Sequence, residues 1–478
     1  MAPIIYQRRQ PEKTVLYEVI RRHYTTFKAT VDATDRTLPA FVEREFEKYL
    51  ACGILAHGFA RCHCDACGFD RIVAFSCKCR GWCPSCIGRR MADTAACLTD
   101  RVLPDVPMRT WTLTLPHPLR YLAAYNPEIL GKIINAFAAS LLGWMRHKTK
   151  RELGLASLKS THPGMITWVQ RFGSAANLNV HLHVLATEGV FVEADDGKVT
   201  WHTLPEPSSA EVAQIAWATC ERVVRLLKRL GMSLAGDDVD EFAEREPLLA
   251  ACYAASLQGF IATGKRAGQQ MMQMGVAVGD HENSQHATPA HGFNLFAGKC
   301  ISAFDRKKRE HVIRYMARPP IPNGSLSFTD DGHVLLRLKN TWSNGATHVK
   351  FTGPELIERL VSLVPRPRVN LVRHHGVFAP HARLRPAIVP SVRTQADAID
   401  KPNQKKRTGR YLEWAELLAR VFEVDVTVCP RCGTRGMQMI AAITHADAIR
   451  DILTCIGEPT APPALERAQL AQFSEDAA

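Results

Sequence analysis

The sequence has few of the features that mark membrane, secreted or fibrous proteins. Of its 478 residues, 30 are glycine and 28 are proline, too few for a collagenous or disordered chain. Its longest mostly apolar stretches, residues 133–145 and 248–262, are shorter than the ~18 residues that a membrane span needs. The first residues carry no apolar core behind a basic start, so we expect no secretory signal. These absences exclude a membrane, secreted or fibrous protein, and we expect a cytoplasmic location.

Acidic residues are outnumbered by basic ones. The chain has 60 lysines and arginines against 47 aspartates and glutamates, a formal net charge of +13. This balance favours a polyanionic partner, most often nucleic acid, although an enzyme with a basic surface has the same charge. Residues 364–385 hold five arginines and no acid, and residues 396–410 form a second basic run. We interpret both as contacts for a nucleic-acid backbone, with a solvated basic face as the alternative.

Cysteines are concentrated in one short segment. Eight of the fifteen lie between Cys52 and Cys86, and without a secretion signal they do not indicate a disulfide framework. Two knuckles separated by fifteen residues can place four thiolates tetrahedrally around one zinc ion. We therefore predict a structural zinc site formed by Cys64, Cys67, Cys83 and Cys86. Alternative ligands, or ligands of a second ion, are Cys62, Cys77, Cys79, His57 and His63.

Near the C-terminus, Cys429 and Cys432 form a single further knuckle. No second knuckle follows it, and Cys455 and His445 are the residues that could complete a site there. Whether this knuckle binds zinc stays open from the sequence alone.

A strictly alternating segment, residues 177–184, carries two histidines. On a strand, His181 and His183 share one face with Asn177 and Asn179, and the apolar residues between them face the other side. Two strand rises separate the imidazoles by roughly 6.5–7 Å at Cβ, so their ring nitrogens can converge on one divalent cation. The alternative is two partly exposed histidines on a sheet.

Periodicity predicts the elements around these motifs. Trp111, Leu113 and Leu115 alternate with threonines, which predicts a strand. Amphipathic spacing predicts one or two helices in residues 11–50, and further helices over residues 129–151, 211–230 and 305–318. Asp305 is placed to cap the last of these helices, and the proline pair after Arg318 to end it.

Taken in order, four segments resemble the rolling-circle transposases of the insertion-sequence ninety-one group, especially its common-region subgroup. The matching pieces are FSCKCRGWCPSC (Phe75–Cys86), TWTLTLP (Thr110–Pro116), VQRFGSAANLNVHLHV (Val169–Val184) and IRYMARPP (Ile313–Pro320). The resemblance extends from about residue 50 to residue 390.

The resemblance implies a histidine-hydrophobic-histidine (HUH) single-strand endonuclease of the α+β class. His181 and His183 match the pair that holds Mg²⁺ or Mn²⁺ on a central strand of an antiparallel sheet. Tyr315 matches the helix-borne tyrosine that attacks DNA, leaving a 5′-phosphotyrosine and a free 3′-hydroxyl. Many relatives have a second tyrosine four residues later, where this chain has Pro319. Because the covalent bond conserves the phosphodiester energy, rejoining needs no ATP, in agreement with the lack of a P-loop pattern.

Other residues are candidates for supporting roles. Lys308 and His311 lie on the helical face of Tyr315, as a phosphate contact and a third metal ligand respectively. Gln170, on the strand before the histidines, is another candidate third ligand. Tyr253 is the rival nucleophile, although its apolar surroundings predict a buried helix.

We therefore predict a metal-dependent tyrosine transposase that binds single-stranded or hairpin element ends on the bacterial nucleoid, with self-association left open. The alternatives are a non-catalytic zinc-containing DNA-binding protein, a plasmid rolling-circle replication initiator, and a zinc hydrolase, for which a nearby carboxylate pair is missing. The predicted domains are N-terminal helices (1–50), a zinc module (51–104), a catalytic domain (105–350, with an insertion at 231–290), a basic DNA-binding extension (351–395), a basic linker (396–410) and a C-terminal module (411–478).

Overall fold

A computed structural model describes residues 8–232, 240–275, 287–290, 292–389 and 428–469. The basic linker predicted at residues 396–410 lies outside this described part, as do parts of the predicted insertion. The helices are α1 (Val15–Asp32), α2 (Ala40–Leu50), α3 (Pro84–Arg101), α4 (His117–Tyr125), α5 (Pro127–Leu153), α6 (Ser209–Arg229), α7 (Glu241–Arg245), α8 (Pro247–Gln258), α9 (Arg306–Met316), α10 (Gly353–Leu363), α11 (Arg385–Ile388) and α12 (Ala446–Cys455).

The strands form four antiparallel sheets. They are β1 (Phe59–Cys64), β2 (Asp70–Ala74), β3 (Met108–Thr114), β4 (Thr161–His162), β5 (Gly164–Phe172), β6 (Leu178–Thr187), β7 (Gly189–Glu193), β8 (Val199–Thr203), β9 (Met272–Gly275), β10 (Ala287–Ala290), β11 (Phe293–Ile301), β12 (Leu326–Phe328), β13 (Val334–Arg337), β14 (Ala346–Phe351), β15 (Val372–Gly376) and β16 (Met437–Ile443). Their orders are β10-β11-β3-β6-β5-β15, β12-β13-β14-β9, β4-β7-β8 and β16-β1-β2.

The largest sheet carries the histidine strand in its interior. Strand β6 pairs with β3 on one side and β5 on the other, so both of its backbone edges are hydrogen-bonded. The strict alternation of residues 177–184 is obeyed: Val180, Leu182 and Val184 are fully buried on the opposite face from the histidines. The α+β fold with an antiparallel sheet holding the histidine pair centrally is confirmed.

Helices cover both faces of this sheet. The face carrying Leu182 and Leu113 joins the main apolar core with residues of α4, α5, α8 and α10. On the histidine face, Ile313 and Met316 of α9 pack in a second cluster with Trp168 and Leu185. Helix α9 therefore lies on the same face as His181 and His183.

Helix α5 is the one described helix that is long and apolar enough to cross a membrane. Within its most apolar 18-residue window, 56% is buried inside the protein. Length and composition alone are weak evidence for a span, because a buried core helix passes the same test.

The predicted N-terminal helices are present as α1 and α2. An aromatic cluster joins them to the cysteine-rich segment: Tyr24 stacks on Phe46 at 4.7 Å between ring centroids, and Phe46 contacts Trp82 at 5.0 Å. Trp82 immediately precedes Cys83, so this apolar contact fixes the segment that leads into α3.

The C-terminal strand β16 returns to the N-terminal part of the molecule. It pairs antiparallel with β1, from Phe59 opposite Ile443 to Cys64 opposite Met437. Helix α12 adds Ile449 and Leu453 to a small apolar cluster beneath this sheet. The end of the described chain and the cysteine-rich segment thus share one sheet and one core.

Candidate active site and cysteine clusters

The two histidines of β6 point their ring nitrogens at each other. The Nε2 atoms of His181 and His183 are 3.2 Å apart. The Nδ1 of His181 lies 2.8 Å from the carbonyl oxygen of Asn179, which can only accept, so this nitrogen carries the proton. The Nδ1 of His183 lies 3.1 Å from the hydroxyl of Thr112, which can accept in the same way. Both Nε2 atoms then direct their lone pairs toward one point. In metal sites, ligating histidines are oriented in this way by a hydrogen bond from the other ring nitrogen.

Burial keeps both imidazoles neutral. Removal from water, with a smaller repulsion from Arg318, lowers the pKa of His181 to about 4 and that of His183 to about 3. A neutral imidazole is the form that binds a metal ion. The pair is therefore in its ligating state throughout the physiological pH range.

A third donor comes from the neighbouring strand. Gln170 lies directly opposite His181 in the β5–β6 ladder and is 3% exposed. Its Nε2 donates to the carbonyl oxygen of Met316 at 3.4 Å, while its Oε1 is buried without a hydrogen-bond partner. An unsatisfied buried carbonyl beside two bare imidazole nitrogens is a suitable oxygen ligand for a hard divalent cation.

The described residues offer no third His, Cys, Asp or Glu to this pair. His311, predicted as one candidate third ligand, is exposed on α9 and does not join such a group. Lys308 is also exposed, and its backbone N–H donates to the capping carboxylate of Asp305. Of the two candidate third ligands, the structure brings only Gln170 beside the histidines.

Tyr315 lies over the histidine pair at the last turn of α9. Its ring centroid is 5.7 Å from that of His183, and 37% of the residue is exposed. The helix that carries it is anchored by Arg309, which is fully buried and donates to the carbonyl oxygens of Pro104 and Val106 at 3.2 and 3.4 Å. Tyr315 is thus accessible to solvent while its backbone is fixed.

Two cations surround the Tyr315 ring. The guanidinium of Arg318 is 4.3 Å from the ring centroid, and the ammonium of Lys339 is 4.2 Å from it. Burial raises the pKa of Tyr315, but the charges and hydrogen bonds of Arg318 and Lys339 outweigh this effect, and the net shift is downward. A phenol with a lowered pKa is a better nucleophile near neutral pH.

The other tyrosines of the described ranges behave differently. Burial is the largest cause of a raised pKa at each of them: Tyr17, Tyr24, Tyr49, Tyr121, Tyr125 and Tyr253. Tyr253, the rival nucleophile, is fully buried in α8 and accepts a hydrogen bond from Arg171 at 3.2 Å. It cannot meet a DNA phosphate in this structure.

Sequence reasoning missed three contributors to this site. Arg318 belongs to the segment that contains Tyr315, and Thr112 to the alternating threonines of β3, so both were visible but unassigned. Lys339 follows β13 and reaches Tyr315 from another sheet. No local pattern distinguishes it from other surface lysines.

The basic extension is largely engaged within the protein. Arg366 pairs with Glu246 at 2.6 Å, and Arg383 pairs with Glu193. Arg385 donates to the carbonyl oxygen of Phe378. Three of the five arginines in residues 364–385 therefore have protein partners, which favours a structural role for much of this segment.

The four cysteines predicted to share one zinc are divided between two clusters. In each cluster the four Sγ atoms lie within 4.8 Å of one another. The first cluster is Cys52, Cys77, Cys83 and Cys86, and the second is Cys64, Cys67, Cys429 and Cys432. The single site predicted from the spacing is therefore wrong, and Cys77, a secondary candidate, belongs to the first cluster.

The β1–β2 hairpin explains this separation. Cys64 and Cys67 lie at its tip, where β1 ends, whereas Cys77 follows its base and Cys83 immediately precedes α3. Five strand rises of ~3.3 Å place the tip about 16 Å from the base. The two knuckles are thus held apart by the strands between them.

Comparisons with known proteins match two long segments of the chain. Residues 164–385 match the family Y2_Tnp, described as "Putative transposase", and residues 19–115 match a transposase zinc-binding domain of IS91 type. The transposase for insertion sequence element IS801 of Pseudomonas savastanoi pv. phaseolicola is 23% identical over 403 residues, which cover 83% of each chain. The two family matches and this relative together support an IS91-family transposase. No solved structure matches it.

The two family matches contain the histidine–tyrosine site and the first cysteine cluster. The transposase match contains Gln170, His181, His183, Tyr315 and Lys339. The zinc-binding match contains the whole first cysteine cluster but ends long before Cys429 and Cys432. As a transposase of this family, the protein is a DNA-binding, DNA-cleaving enzyme, which also indicates a soluble cytoplasmic protein.

Proposed function

We propose that this transposase cuts and rejoins single-stranded DNA at element ends through a covalent 5′-phosphotyrosine on Tyr315. The observation that carries the proposal is the meeting of helix α9 and strand β6 on one sheet face. The exposed phenol of α9 lies over the paired imidazoles of β6, with its ring centroid 5.7 Å from that of His183. A scissile phosphate can reach the phenol and the imidazoles together.

A divalent cation, Mg²⁺ or Mn²⁺, fits the donors present. The two bare Nε2 atoms and the unpartnered Oε1 of Gln170 form a neutral set of nitrogen and oxygen ligands. When bound, such a cation supplies charge that polarises the phosphate and offsets the negative charge developing on its oxygens. His181, His183 and Gln170 are its ligands in this proposal.

Tyr315 performs the attack. Its phenolate oxygen forms a bond to phosphorus while the bond from phosphorus to the 3′-oxygen breaks, and that oxygen leaves and takes up a proton. Arg318 and Lys339 favour the phenolate before the attack, and each can then contact the phosphate oxygens. In the reverse direction a 3′-hydroxyl attacks the phosphotyrosine and restores the phenol, so no ATP is consumed.

One tyrosine per chain performs this step. The position that carries a second tyrosine in many relatives is Pro319, which is buried and lies beyond the end of α9 at Met316. The helix geometry that presents Tyr315 does not extend to this residue. The mechanism therefore uses sequential reactions of Tyr315 rather than alternation between two tyrosines in one subunit. We place this activity on DNA of the bacterial nucleoid.

Trapping the covalent intermediate tests the proposal. Incubated with single-stranded element-end DNA and Mn²⁺, the wild-type protein should form an adduct that survives denaturant. Tyr315→Phe removes only the attacking hydroxyl and should abolish the adduct while DNA binding persists. Tyr253→Phe is the matched control and should still form it. An adduct on Tyr315→Phe, or nucleotide mapped by mass spectrometry to another residue, would contradict the assignment.

A further inference from the structure

We propose that Cys64, Cys67, Cys429 and Cys432 form a second structural zinc site, which joins the C-terminal segment to the N-terminal cysteine module. The Sγ atoms of Cys64 and Cys432 are 3.7 Å apart, and those of Cys67 and Cys429 are 3.6 Å apart. Four thiolates at ~2.3 Å from a tetrahedral zinc ion lie about 3.8 Å from one another. These two separations match that value, and all four sulfur atoms lie within 4.8 Å of one another.

The two knuckles have the same backbone structure. In each, the N–H of the glycine after the second cysteine donates to the carbonyl of the first cysteine at 2.9 Å, Gly68 to Cys64 and Gly433 to Cys429. Both glycines have positive φ, +70° and +72°. A residue with a Cβ is strained in this conformation, so glycine permits the tight turn that brings both thiols to one side. Matched turns of this kind, facing each other, favour a metal site over a chance meeting of thiols.

Strand pairing sets the register between the knuckles. Strand β1 ends at Cys64, opposite Met437 at the start of β16, so both knuckles lie at the same end of the ladder. A side-chain hydrogen bond adds to this strand pairing, because Gln438 donates to Asp65 at 3.4 Å. Within the second knuckle, Thr434 Oγ1 lies 2.9 Å from Cys432 Sγ. The ladder, two knuckles and four thiols together form a zinc ribbon built from segments that precede and follow the catalytic sheet in the sequence.

This site is additional to the first cluster. In that cluster Cys52 Sγ lies 3.8 Å from Cys83 Sγ and 3.7 Å from Cys86 Sγ, and Cys77 supplies the fourth thiol. It is complete within the matched zinc-binding domain and needs no residue from the C-terminus. The second site takes two of its four ligands from positions at least 362 residues later in the sequence, beyond the whole catalytic sheet.

Zinc counting on the full-length protein tests the proposal. Metal analysis of purified protein should give two zinc ions per chain, and the double variant Cys429→Ser, Cys432→Ser should give one. Cys455→Ser is the matched control, because Cys455 is exposed and belongs to neither cluster, and it should keep two. One zinc in the wild type, or two in the double variant, would overturn the proposal.

Hydrogen exchange separates loss of this site from general misfolding. In the double variant, the amides of β16 and β1 should exchange faster than in the wild type, while those of β6 should keep their protection. Removal of zinc from the wild type with a chelator should produce the same pattern at β16. Unchanged protection of β16 in the double variant would show that zinc does not hold this strand, and would contradict the proposal.

Discussion

Lys339 offers a quantitative test of how the nucleophile is activated. Its ammonium is 4.2 Å from the Tyr315 ring centroid, and together with Arg318 it lowers the pKa of the phenol against the opposing effect of burial. The substitution Lys339→Met removes the charge while keeping a side chain of similar length. In this variant only Arg318 opposes the effect of burial, which raises the pKa of Tyr315.

The size of the effect follows from Coulomb's law. Two unit charges about 4 Å apart interact by about 4 kcal/mol at an effective dielectric constant of 20, and by about 1 kcal/mol in water. Tyr315 is 37% exposed, so solvent screening places the interaction near the lower end of this range. Loss of Lys339 should therefore raise the pKa of Tyr315, and because 1.36 kcal/mol corresponds to a factor of ten, ionisation of the phenol should become up to about tenfold less favourable.

The sign of the pH dependence follows directly. Attack requires the phenolate, so the nicking rate rises as pH approaches the pKa of Tyr315 from below. A higher pKa lowers the phenolate fraction at each pH well below it, by up to about tenfold for a loss of 1.36 kcal/mol. The variant should therefore nick DNA up to about tenfold more slowly at neutral pH. The difference in rate should shrink at high pH, where Tyr315 becomes ionised in both proteins.

Single-turnover nicking at saturating DNA, measured across pH, is the appropriate assay because it separates chemistry from DNA binding. Lys339→Arg preserves the charge and should restore most of the rate. Lys350→Met is the matched control. Lys350 lies on β14 and pairs with Asp331, so its loss should leave the pH profile of nicking unchanged. If Lys339→Met slowed the reaction equally at every pH, the proposed effect on ionisation of Tyr315 would be refuted.

Two further predictions concern the metal ligands. His181→Ala and His183→Ala should each abolish nicking and weaken Mn²⁺ binding, measured by calorimetry. DNA affinity should change little, because basic residues dominate it. Full nicking by the double variant would exclude the two histidines as metal ligands. Gln170→Leu should reduce Mn²⁺ affinity by at least the about 10–100-fold that is typical for loss of an outer partner of a metal ligand. Gln170→Glu retains an oxygen donor and should bind Mn²⁺ at least as tightly as the wild type. Equal affinities for the wild type and Gln170→Leu would remove Gln170 from the site.

The parts of the fold that could be predicted are those determined by local patterns. The alternation around His181 fixes the strand, its buried face and the convergence of the two imidazoles, since side chains two residues apart on a strand point the same way. Asp305 caps α9 as predicted, and the helix ends before Pro319, as expected from the effect of proline on the preceding residues. These features depend on a few neighbouring residues.

The parts that could not be predicted depend on contacts between distant segments. The spacing of Cys64 and Cys83 is suitable for a shared zinc, but the hairpin between them keeps them apart, and their true neighbours include Cys52 and Cys429. Lys339 approaches Tyr315 from another sheet. Sequence spacing reports which residues can meet within one turn or strand, and it carries no information on which distant elements pack together.

The pairing of β16 with β1 has a consequence for synthesis of the protein. Translation completes α1, α2, β1 and the whole catalytic sheet before Met437 leaves the ribosome, and N-terminal parts of a chain fold first. Until then β1 has an open backbone edge, and Cys64 and Cys67 lack their partner thiols. A chain that ends early never closes this edge, and an open strand edge promotes aggregation. The late-made residues of β16 thus distinguish a chain with a closed β1 edge from one truncated before Met437.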